Sequence, residues 1–249
     1  MSLSPQFLRA LRLNRDDPAL NVKFPFTLPA LRTMARIDFH PKVTYFVGEN
    51  GSGKSTVLEA IAISLGFNPE GGTKNFRFST AHSHSDLHEH IVLEKGYKQA
   101  RDGYFLRAES FFNVASEIER LDAGPGGPPI KNSYGGKSLH ACSHGESFLA
   151  LMTERFGGNS IFLLDEPEAA LSPQRQLAAL RRMHELVQSN SQFIIATHSP
   201  ILMAYPDSMI YSFDEEGISI TTYEETEHYQ VTHDFMKHPA RFVSRLLDD

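Results

Sequence analysis

The segment GENGSGKST, residues 48–56, has residue types and a spacing that suit the binding of phosphate groups. It matches the pattern G-x-x-x-x-G-K-[ST] and lies between the strand-like run KVTYFVG and the helix-like run STVLEAIAISLGF. The glycines let backbone N–H groups turn toward phosphate oxygens, and the following helix directs its positive N-terminus at them. The alternative is a glycine-rich turn with an accidental Lys-Ser pair, but the order of strand, loop and helix favours a phosphate site.

Two side chains of this loop have separate expected roles. Lys54 would reach the β- and γ-phosphates of a nucleotide, and the Ser55 hydroxyl would bind Mg²⁺. The residues expected to line the nucleotide are Gly48, Glu49, Asn50, Gly51, Ser52, Gly53, Lys54, Ser55 and Thr56.

A pair of carboxylates follows the apolar run at the start of IFLLDEPEAALSP. The run predicts a buried strand that ends at Asp165 and Glu166, where α/β sheets bind ligands. Asp165 is expected to hold Mg²⁺, directly or through water, and Glu166 is expected to polarise the water that attacks the γ-phosphate. The alternative is a strand that ends in an acidic N-cap before a helix.

The run FIIATHSP places His198 at the end of another predicted strand. A single histidine is more often structural than catalytic, but near a phosphate site it would hydrogen-bond the γ-phosphate and the attacking water. Lys54, Glu166 and His198 are therefore the candidate catalytic residues, and Ser55 and Asp165 are the candidate metal ligands.

The stretch ACSHGESFLALM begins with a polar cluster and continues as a helix-like run. Taken alone, it predicts a capped helix start, with Ser143 as the N-cap and Glu146 in the first turn. The same position would direct hydroxyl and N–H groups at an anion. The two uses are compatible, because a cap without a nucleotide becomes an anion site with one.

The order of these motifs resembles that of ABC-type ATPases. The text LDEPEAALSPQRQL and IIATHSPIL also resembles compact bacterial AAA/ABC-type ATPases related to SMC-like and RecF-like head domains. The resemblance implies that Ser143, Gly145 and Glu146 form a signature loop and that residues 168–173 form a D-loop facing a partner subunit. It also implies ATP and Mg²⁺ as cofactors and a homodimer on ATP binding. The two copies would pack head to tail, each offering its signature loop to the ATP of the other.

Several features depart from the transporter members of this family. No clear glutamine occurs in GYFLRAESFFNVAS. Glu109 is the nearest candidate for the Q-loop residue, against a plain solvated or core-edge carboxylate. His144 replaces a glycine of the signature, and the D-loop ends in Ser-Pro where an Asp is common. Phe24 or Phe26 could stack on adenine, although a place in a strand core is the favoured interpretation.

The segment AHSHSDLHEH is rich in histidine and contains His82, His84, His88 and His90. On a helix, His84 and His88 would share a face suitable for Zn²⁺. Because the segment lacks cysteine and has weak helical periodicity, a polar exposed strand or loop is the favoured interpretation.

Strand-like and helix-like segments alternate along the chain, which predicts an α/β fold. We expect a P-loop NTPase with a mostly parallel central sheet flanked by helices, plus antiparallel strands and a helical signature subdomain. SMIYSF and GISITTY predict an edge hairpin, and two helices are expected on either side of Pro239. In PQRQLAALRRMHELVQS, the helical period is kept by Leu177, Leu180, Met183 and Val187.

The length suits a single domain over residues 1–249. Its expected parts are an ATP-binding core at about 20–80 and 158–225, a signature region at about 104–157, and C-terminal helices at 226–249.

Composition limits the class of function. With 41% hydrophobic residues the chain can bury a substantial core, and the net charge of -6 argues against an autonomous nucleic-acid binder. The single cysteine, Cys142, suits a reducing compartment. The N-terminus does not resemble a signal peptide, and no apolar run is long enough to span a bilayer. We therefore expect a cytoplasmic protein without direct membrane insertion.

The favoured function is a soluble ATPase that drives a process of an unidentified protein partner, such as DNA repair or defence. Nucleic acid stays a possible partner that the net charge does not support. One alternative is the ATP-binding subunit of a membrane transporter, although a loop that would grip a membrane helix is not recognisable. The other is a P-loop kinase for a small molecule, in which the SHGES cluster would have no role in a second subunit.

Overall fold

The computed structural model describes residues 6–15, 17–74, 85–108, 111–122 and 144–247. The strands, in chain order, are β1 (Leu8–Leu13), β2 (Arg36–Asp38), β3 (Val43–Gly48), β4 (Ile91–Lys95), β5 (Asp102–Arg107), β6 (Ser160–Asp165), β7 (Gln192–Ala196), β8 (Met209–Phe213) and β9 (Ile218–Thr221). The helices are α1 (Pro29–Thr33), α2 (Lys54–Ser64), α3 (Phe111–Asp122), α4 (His144–Ala150), α5 (Pro173–Gln188), α6 (Pro200–Met203), α7 (Glu227–Lys237) and α8 (Pro239–Leu247).

The central sheet has six strands in the order β5-β6-β7-β3-β8-β9. All neighbours pair in parallel except β8 and β9, which form an antiparallel hairpin at one edge. Strands β3, β6 and β7 are apolar and almost entirely buried, as is typical of a parallel sheet covered on both faces. The predicted α/β fold is therefore confirmed. Because parallel strands end at the same edge, the segments that follow β3, β6 and β7 lie close together.

Helix α2 lies between the central sheet and a smaller antiparallel sheet of order β2-β1-β4. The predicted helix is confirmed, and Gly66 follows its C-cap residue with a φ of +87°, as a helix end of this kind requires. The helix is buried on more than one face, because sheets cover it from two sides. Even Glu59 and Ala60 are buried.

Helices α4 and α5 contribute to a second apolar core on the opposite face of the central sheet. The prediction for α5 is confirmed in extent but wrong for Leu177, whose side chain is 57% exposed. Ala179 and Leu186 are buried instead, because they share a face with Met183. The predicted helix ESFLALMTERF changes character along its length, since α4 ends at Ala150 and a π-helical turn, Leu151–Arg155, follows.

Helices α7 and α8 lie on either side of Pro239, as predicted. Within the part of the chain that the structure describes, no helix combines the length and apolar character needed to cross a bilayer. The boundaries proposed for the ATP-binding core and the signature region stay a prediction.

The side chain of Gln192 connects the two sheets. At the start of β7 it is 1% exposed, and its Oε1 accepts from the Phe7 and Leu8 N–H groups at 3.1 and 2.9 Å. Its Nε2 donates to the carbonyl oxygens of Leu8 and His40 at 2.8 and 3.0 Å. The amide therefore satisfies main-chain groups of β1 that the central sheet does not reach.

Replacing Gln192 with Leu keeps a similar volume and removes all of these hydrogen bonds. We expect the free energy of unfolding to fall by about 2 to 4 kcal/mol, because buried backbone groups lose a partner. Urea denaturation followed by circular dichroism measures this. The exposed Gln188, at the end of α5, supplies the control, since Gln188→Leu should change stability by less than about 0.5 kcal/mol. Equal losses in both variants would contradict the assigned role.

Candidate active site

The loop between β3 and α2 has the backbone of a phosphate cradle. Gly48, Gly51 and Gly53 have φ angles of +139°, +79° and +104°, which side chains other than glycine rarely adopt. At Gly48 an added Cβ would lie 2.1 Å from the carbonyl oxygen of Phe213, so β8 leaves no room for a larger residue. The loop ends at Lys54, where the N–H groups of the first turn of α2 are available to an anion. The remaining predicted residues lie in the loop (Glu49, Asn50 and Ser52) or in that turn (Ser55 and Thr56).

Lys54 is held inside the loop by main-chain carbonyls. Its side chain is almost fully buried, and its ammonium group donates to the carbonyl oxygens of Gly48 and Glu49 at 2.8 and 2.7 Å. Burial lowers the pKa of Lys54, and nearby carboxylates oppose this by favouring the charged form. In order of effect, these carboxylates belong to Glu166, Asp165, Glu168 and Glu49.

The two predicted metal ligands are in contact. The Ser55 hydroxyl donates to Oδ1 of Asp165 at 2.8 Å, although the residues belong to α2 and β6. A hydroxyl and a carboxylate are hard oxygen donors, and Mg²⁺ is usually held by one or two such groups together with phosphate oxygens and water. The pair therefore fits Mg²⁺.

Arg107 stands beside this pair and was missed by sequence reasoning. It ends β5 in register with Asp165, and its Nε lies 3.8 Å from Oδ2 of that residue. Its Nη1 donates to Oε2 of Glu59 at 2.6 Å. The sequence contained a signal, since Arg107 ends an apolar run as Asp165 does.

Glu166 and His198 face each other at the ends of β6 and β7. The Oε1 of Glu166 lies 3.6 Å from Nε2 of His198, and the Glu166 side chain is 40% exposed, so water can reach it. The Glu166 backbone is left-handed, with φ of 50° and ψ of 51°, and its N–H donates to the carbonyl oxygen of Ala196. Burial, followed by the charge of Lys54, lowers the pKa of His198, so its neutral form predominates at pH 7.

Glu168 is a further carboxylate at this site, which sequence reasoning assigned only to the D-loop. It lies in the 3₁₀ turn Pro167–Ala170, and its Oε1 accepts from the backbone N–H of His198 at 2.5 Å. Burial raises the pKa of Glu168 above its ordinary value of 4.5. The third acidic residue of DEPE was the available signal, but its burial follows from long-range packing.

The described signature residues lie apart from this group. Gly145 is buried against the turn before α5, where an added Cβ would be 2.7 Å from the carbonyl oxygen of Ala170 and 2.6 Å from Nη1 of Arg175. The exposed Glu146 forms an ion pair with Arg175 at 3.2 Å. Ser143 lies outside the described residues. The structure thus brings together Lys54, Ser55, Asp165, Glu166 and His198, with Gly145 and Glu146 packed against α5.

A cavity of about 570 Å³ adjoins the phosphate loop on the side of the β8–β9 turn. Its lining includes Pro29, Phe213 and Thr221. Neither predicted aromatic candidate for adenine is among the residues that line this cavity; the Phe24 side chain is 61% exposed and that of Phe26 is 1% exposed. Both belong to the turn before α1, so their assignment to a strand core was wrong.

The histidine-rich segment and the Q-loop candidate are only partly described. His82, His84 and Glu109 lie outside the described residues. His88 belongs to a 3₁₀ turn, and His90 packs edge-on against Phe26. Within the described ranges, no group of three or more His, Cys, Asp or Glu side chains is arranged to hold a metal ion.

Two family models match segments of the chain. A model described as an AAA domain matches residues 32–119, which include the phosphate loop. A second, described as "AAA domain, putative AbiEii toxin, Type IV TA system", matches residues 140–204, which include Asp165, Glu166 and His198. Both models describe AAA domains, and together with the fold they support an ABC/SMC-like AAA ATPase, which is an ATP hydrolase. A search of curated proteins found no match to the ATPase.

Solved structures share the fold of the ATPase at low sequence identity. MJ1267, an ATP-binding cassette of an ABC transporter, is 17% identical over 93% of this chain and 96% of its own, with a TM-score of 0.50. The SMC head domain from Thermotoga maritima is 16% identical, covering 87% of this chain and 99% of its own, with a TM-score of 0.44. Another match is cbiO1 from Clostridium perfringens, with 16% identity, coverage of 98% and 100%, and a TM-score of 0.47.

The raised pKa of Glu168 makes the stability of the ATPase depend on pH. The native carboxyl holds its proton more tightly than the unfolded one, so its contribution to stability is full below the ordinary value of 4.5 and is lost as pH rises through the raised folded pKa. Glu168→Gln does not titrate. We therefore expect the free energy of unfolding of Glu168→Gln, relative to wild type, to increase with pH across this window in urea denaturation.

The matched control is Glu216→Gln, in the exposed turn between β8 and β9. Its stability relative to wild type should stay level over the same pH range. A parallel rise in both variants would mean that burial of Glu168 is not the cause.

Proposed function

We propose that the ATPase binds Mg-ATP and hydrolyses it at the interface of a head-to-tail homodimer, and that this cycle drives a partner process such as DNA repair or defence. The observation that carries the proposal is the convergence of Lys54, Ser55, Asp165, Glu166 and His198 at one edge of the sheet. These residues have the types and placement that phosphoryl transfer to water requires.

The contacts of each side chain support a distinct task. Lys54 would exchange its carbonyl partners for the β- and γ-phosphate oxygens of ATP. Ser55 and Asp165 would hold Mg²⁺, which when bound neutralises charge on the phosphates. Glu166 is accessible enough to orient the attacking water, and His198, 3.6 Å from Glu166, would donate a hydrogen bond to the γ-phosphate.

The support for a second copy comes from the position of the signature residues. Gly145 and Glu146 pack on the Ala170 turn and on Arg175 of their own chain. In a head-to-tail dimer, the signature segment of one copy would face the phosphates bound by the other copy. Contacts made only to the γ-phosphate would then distinguish the ATP-bound from the ADP-bound state in their tendency to associate.

The support for a role in defence is the description of one matching family model, which names a putative toxin of a type IV toxin–antitoxin system. The fold alone fits a transporter subunit equally well, because MJ1267 is an ATP-binding cassette of an ABC transporter. A pull-down that retrieves a multispan membrane protein with the ATPase would favour that alternative. Phosphate transfer to an acceptor other than water would favour a kinase.

Replacing Glu166 with Gln tests the hydrolytic role and the dimer together. The amide is a poor acceptor of the water proton, so the rate of ATP hydrolysis should fall roughly 100-fold or more, the size of a general-base contribution. With saturating Mg-ATP, light scattering should report a stable dimer of the variant. Glu216→Gln should hydrolyse ATP at the wild-type rate and dimerise only transiently. A monomeric Glu166→Gln under saturating ATP would contradict the homodimer.

Placing an arginine at position 143 tests whether the signature segment acts across the interface. Added to Glu166→Gln, Ser143→Arg should abolish the ATP-dependent dimer while each chain still binds ATP, because a bulky side chain would meet the other copy. Ser219→Arg, on the exposed edge strand β9, adds the same side chain at the far edge of the sheet and should leave the dimer intact. Light scattering and equilibrium binding of a fluorescent ATP analogue separate the two effects. Dimerisation of both variants would count against the assignment.

A further inference from the structure

A second histidine, His228, contacts the candidate catalytic histidine. Nδ1 of His198 and Nε2 of His228 are 2.9 Å apart, and the ring centroids are separated by 5.0 Å. Both rings are partly buried. Because His228 belongs to α7 and His198 follows β7, the contact ties the C-terminal helix to the residues proposed to surround the γ-phosphate.

The position of His228 is set by the start of its helix. Thr226 is 4% exposed and caps α7, accepting a hydrogen bond from the N–H of Tyr229 and donating one to the carbonyl oxygen of Tyr223 at 2.7 Å. His228 follows two residues later in the first turn. It lines a cavity of about 520 Å³ together with His198, Glu49, Asn50 and Glu227.

A hydrogen bond between two imidazole nitrogens has one proton, so the pair has two possible arrangements. If His198 donates from Nδ1, its neutral ring has a bare Nε2. If His228 donates from its Nε2, then His198 accepts at Nδ1 and carries its proton on Nε2. Which histidine donates therefore decides whether Nε2 of His198 carries a proton or a lone pair.

The groups around the pair favour the second arrangement. Nε2 of His198 lies 3.6 Å from Oε1 of Glu166. If this nitrogen carried no proton, two acceptors would face each other. If it carries a proton, the N–H faces a carboxylate that can accept it. Burial, followed by the charge of Lys54, lowers the pKa of both histidines, which favours a neutral pair. The nearby carboxylates of Glu227 and Glu49 act in the opposite direction and raise the pKa of His228, but burial and the charge of Lys54 outweigh them.

We propose that His228 is a positioning residue that donates its Nε2–H to His198 and so fixes the His198 tautomer with a proton on Nε2. This inference rests on the proposed ATP hydrolysis. The Nε2–H of His198 would then donate to a γ-phosphate oxygen, whereas the opposite tautomer would direct a lone pair at an anion. The role assigned to His228 is exerted through His198.

The kinetic test compares two substitutions of His228 with one of another histidine on α7. His228→Leu removes the donor, and His228→Gln retains an amide N–H near the same place. Helix α7 buries none of its described residues, so both variants should fold. We expect kcat of His228→Leu to fall roughly tenfold with KM unchanged, the size of one lost hydrogen bond, and His228→Gln to retain most of the activity. The control is His233, which is partly buried and stacks on Tyr229 further along the same helix, and the kcat of His233→Leu should match wild type.

Equal kcat values for His228→Leu and His233→Leu would overturn the proposal. Equal losses in His228→Leu and His228→Gln would also overturn it, because shape rather than a donated proton would then matter.

A second measurement does not depend on turnover. Long-range ¹H–¹⁵N spectra of the histidine rings, with His198 identified by loss of its signals in His198→Gln, report which nitrogen is protonated. Wild type should have His198 protonated on Nε2, and His228→Leu should have a mixture of tautomers. Protonation of His198 on Nδ1 in wild type, or identical spectra in both proteins, would overturn the proposal. If wild type hydrolyses no ATP, the proposed function fails, while these spectra still decide the role of His228.

Discussion

The hydrogen bond of 2.8 Å between the hydroxyl of Ser55 and the carboxylate of Asp165 joins two segments that are remote in the sequence. Strand β7 lies between the strands β3 and β6 that precede them, so the bond must cross one strand of the sheet. Helix α2 makes this crossing possible, because it packs against β3, β7 and β6. The site therefore depends on strand order: a different order of β3, β6 and β7 would separate the loop from its metal-binding partner.

The charges at this edge are unbalanced in a way that suits the proposed ligand. Lys54 is surrounded by four carboxylates, those of Glu166, Asp165, Glu168 and Glu49. Arg107 supplies positive charge from the side, but it is also engaged by Glu59. Buried charge of one sign is costly unless it is paired. A divalent cation held by Ser55 and Asp165 would relieve this excess, and it would also offset the charge of the incoming triphosphate.

Much of the fold could be predicted from the sequence because its signals are local. The apolar runs before Gly48, Asp165 and His198 predict buried strands, and their polar ends predict a shared edge once the strands are parallel. The predicted burial of Leu177 was wrong because the period of an amphipathic helix is compatible with more than one position of the buried stripe. Packing against the sheet decides which position is adopted. The strand predicted at Phe24 and Phe26 was wrong: aromatic residues favour a strand, but the chain there forms a turn before α1.

The parts of the site that sequence reasoning missed come from contacts between distant elements. Arg107 and Glu168 at least follow or overlap recognisable motifs, so their chemistry could have been suspected. No local pattern marks His228, since it is an ordinary residue in the first turn of a capped helix. Its significance arises only because the first turn of α7, which is distant in sequence from β7, contacts the residues that follow that strand.

The C-terminal helices α7 and α8 are held less firmly than the phosphate loop. None of the described residues of α7 and α8 is buried, so little of the hydrophobic core resists their displacement. The phosphate loop, by contrast, is fixed by glycine conformations and by carbonyl contacts to Lys54. A helix with no buried residues of its own therefore donates to the His198 ring, which lines the same cavity as Glu49 and Asn50 of the phosphate loop. Movement of α7 would leave the cradle intact and change only the histidine that faces the γ-phosphate, so binding of ATP and its hydrolysis need not respond together.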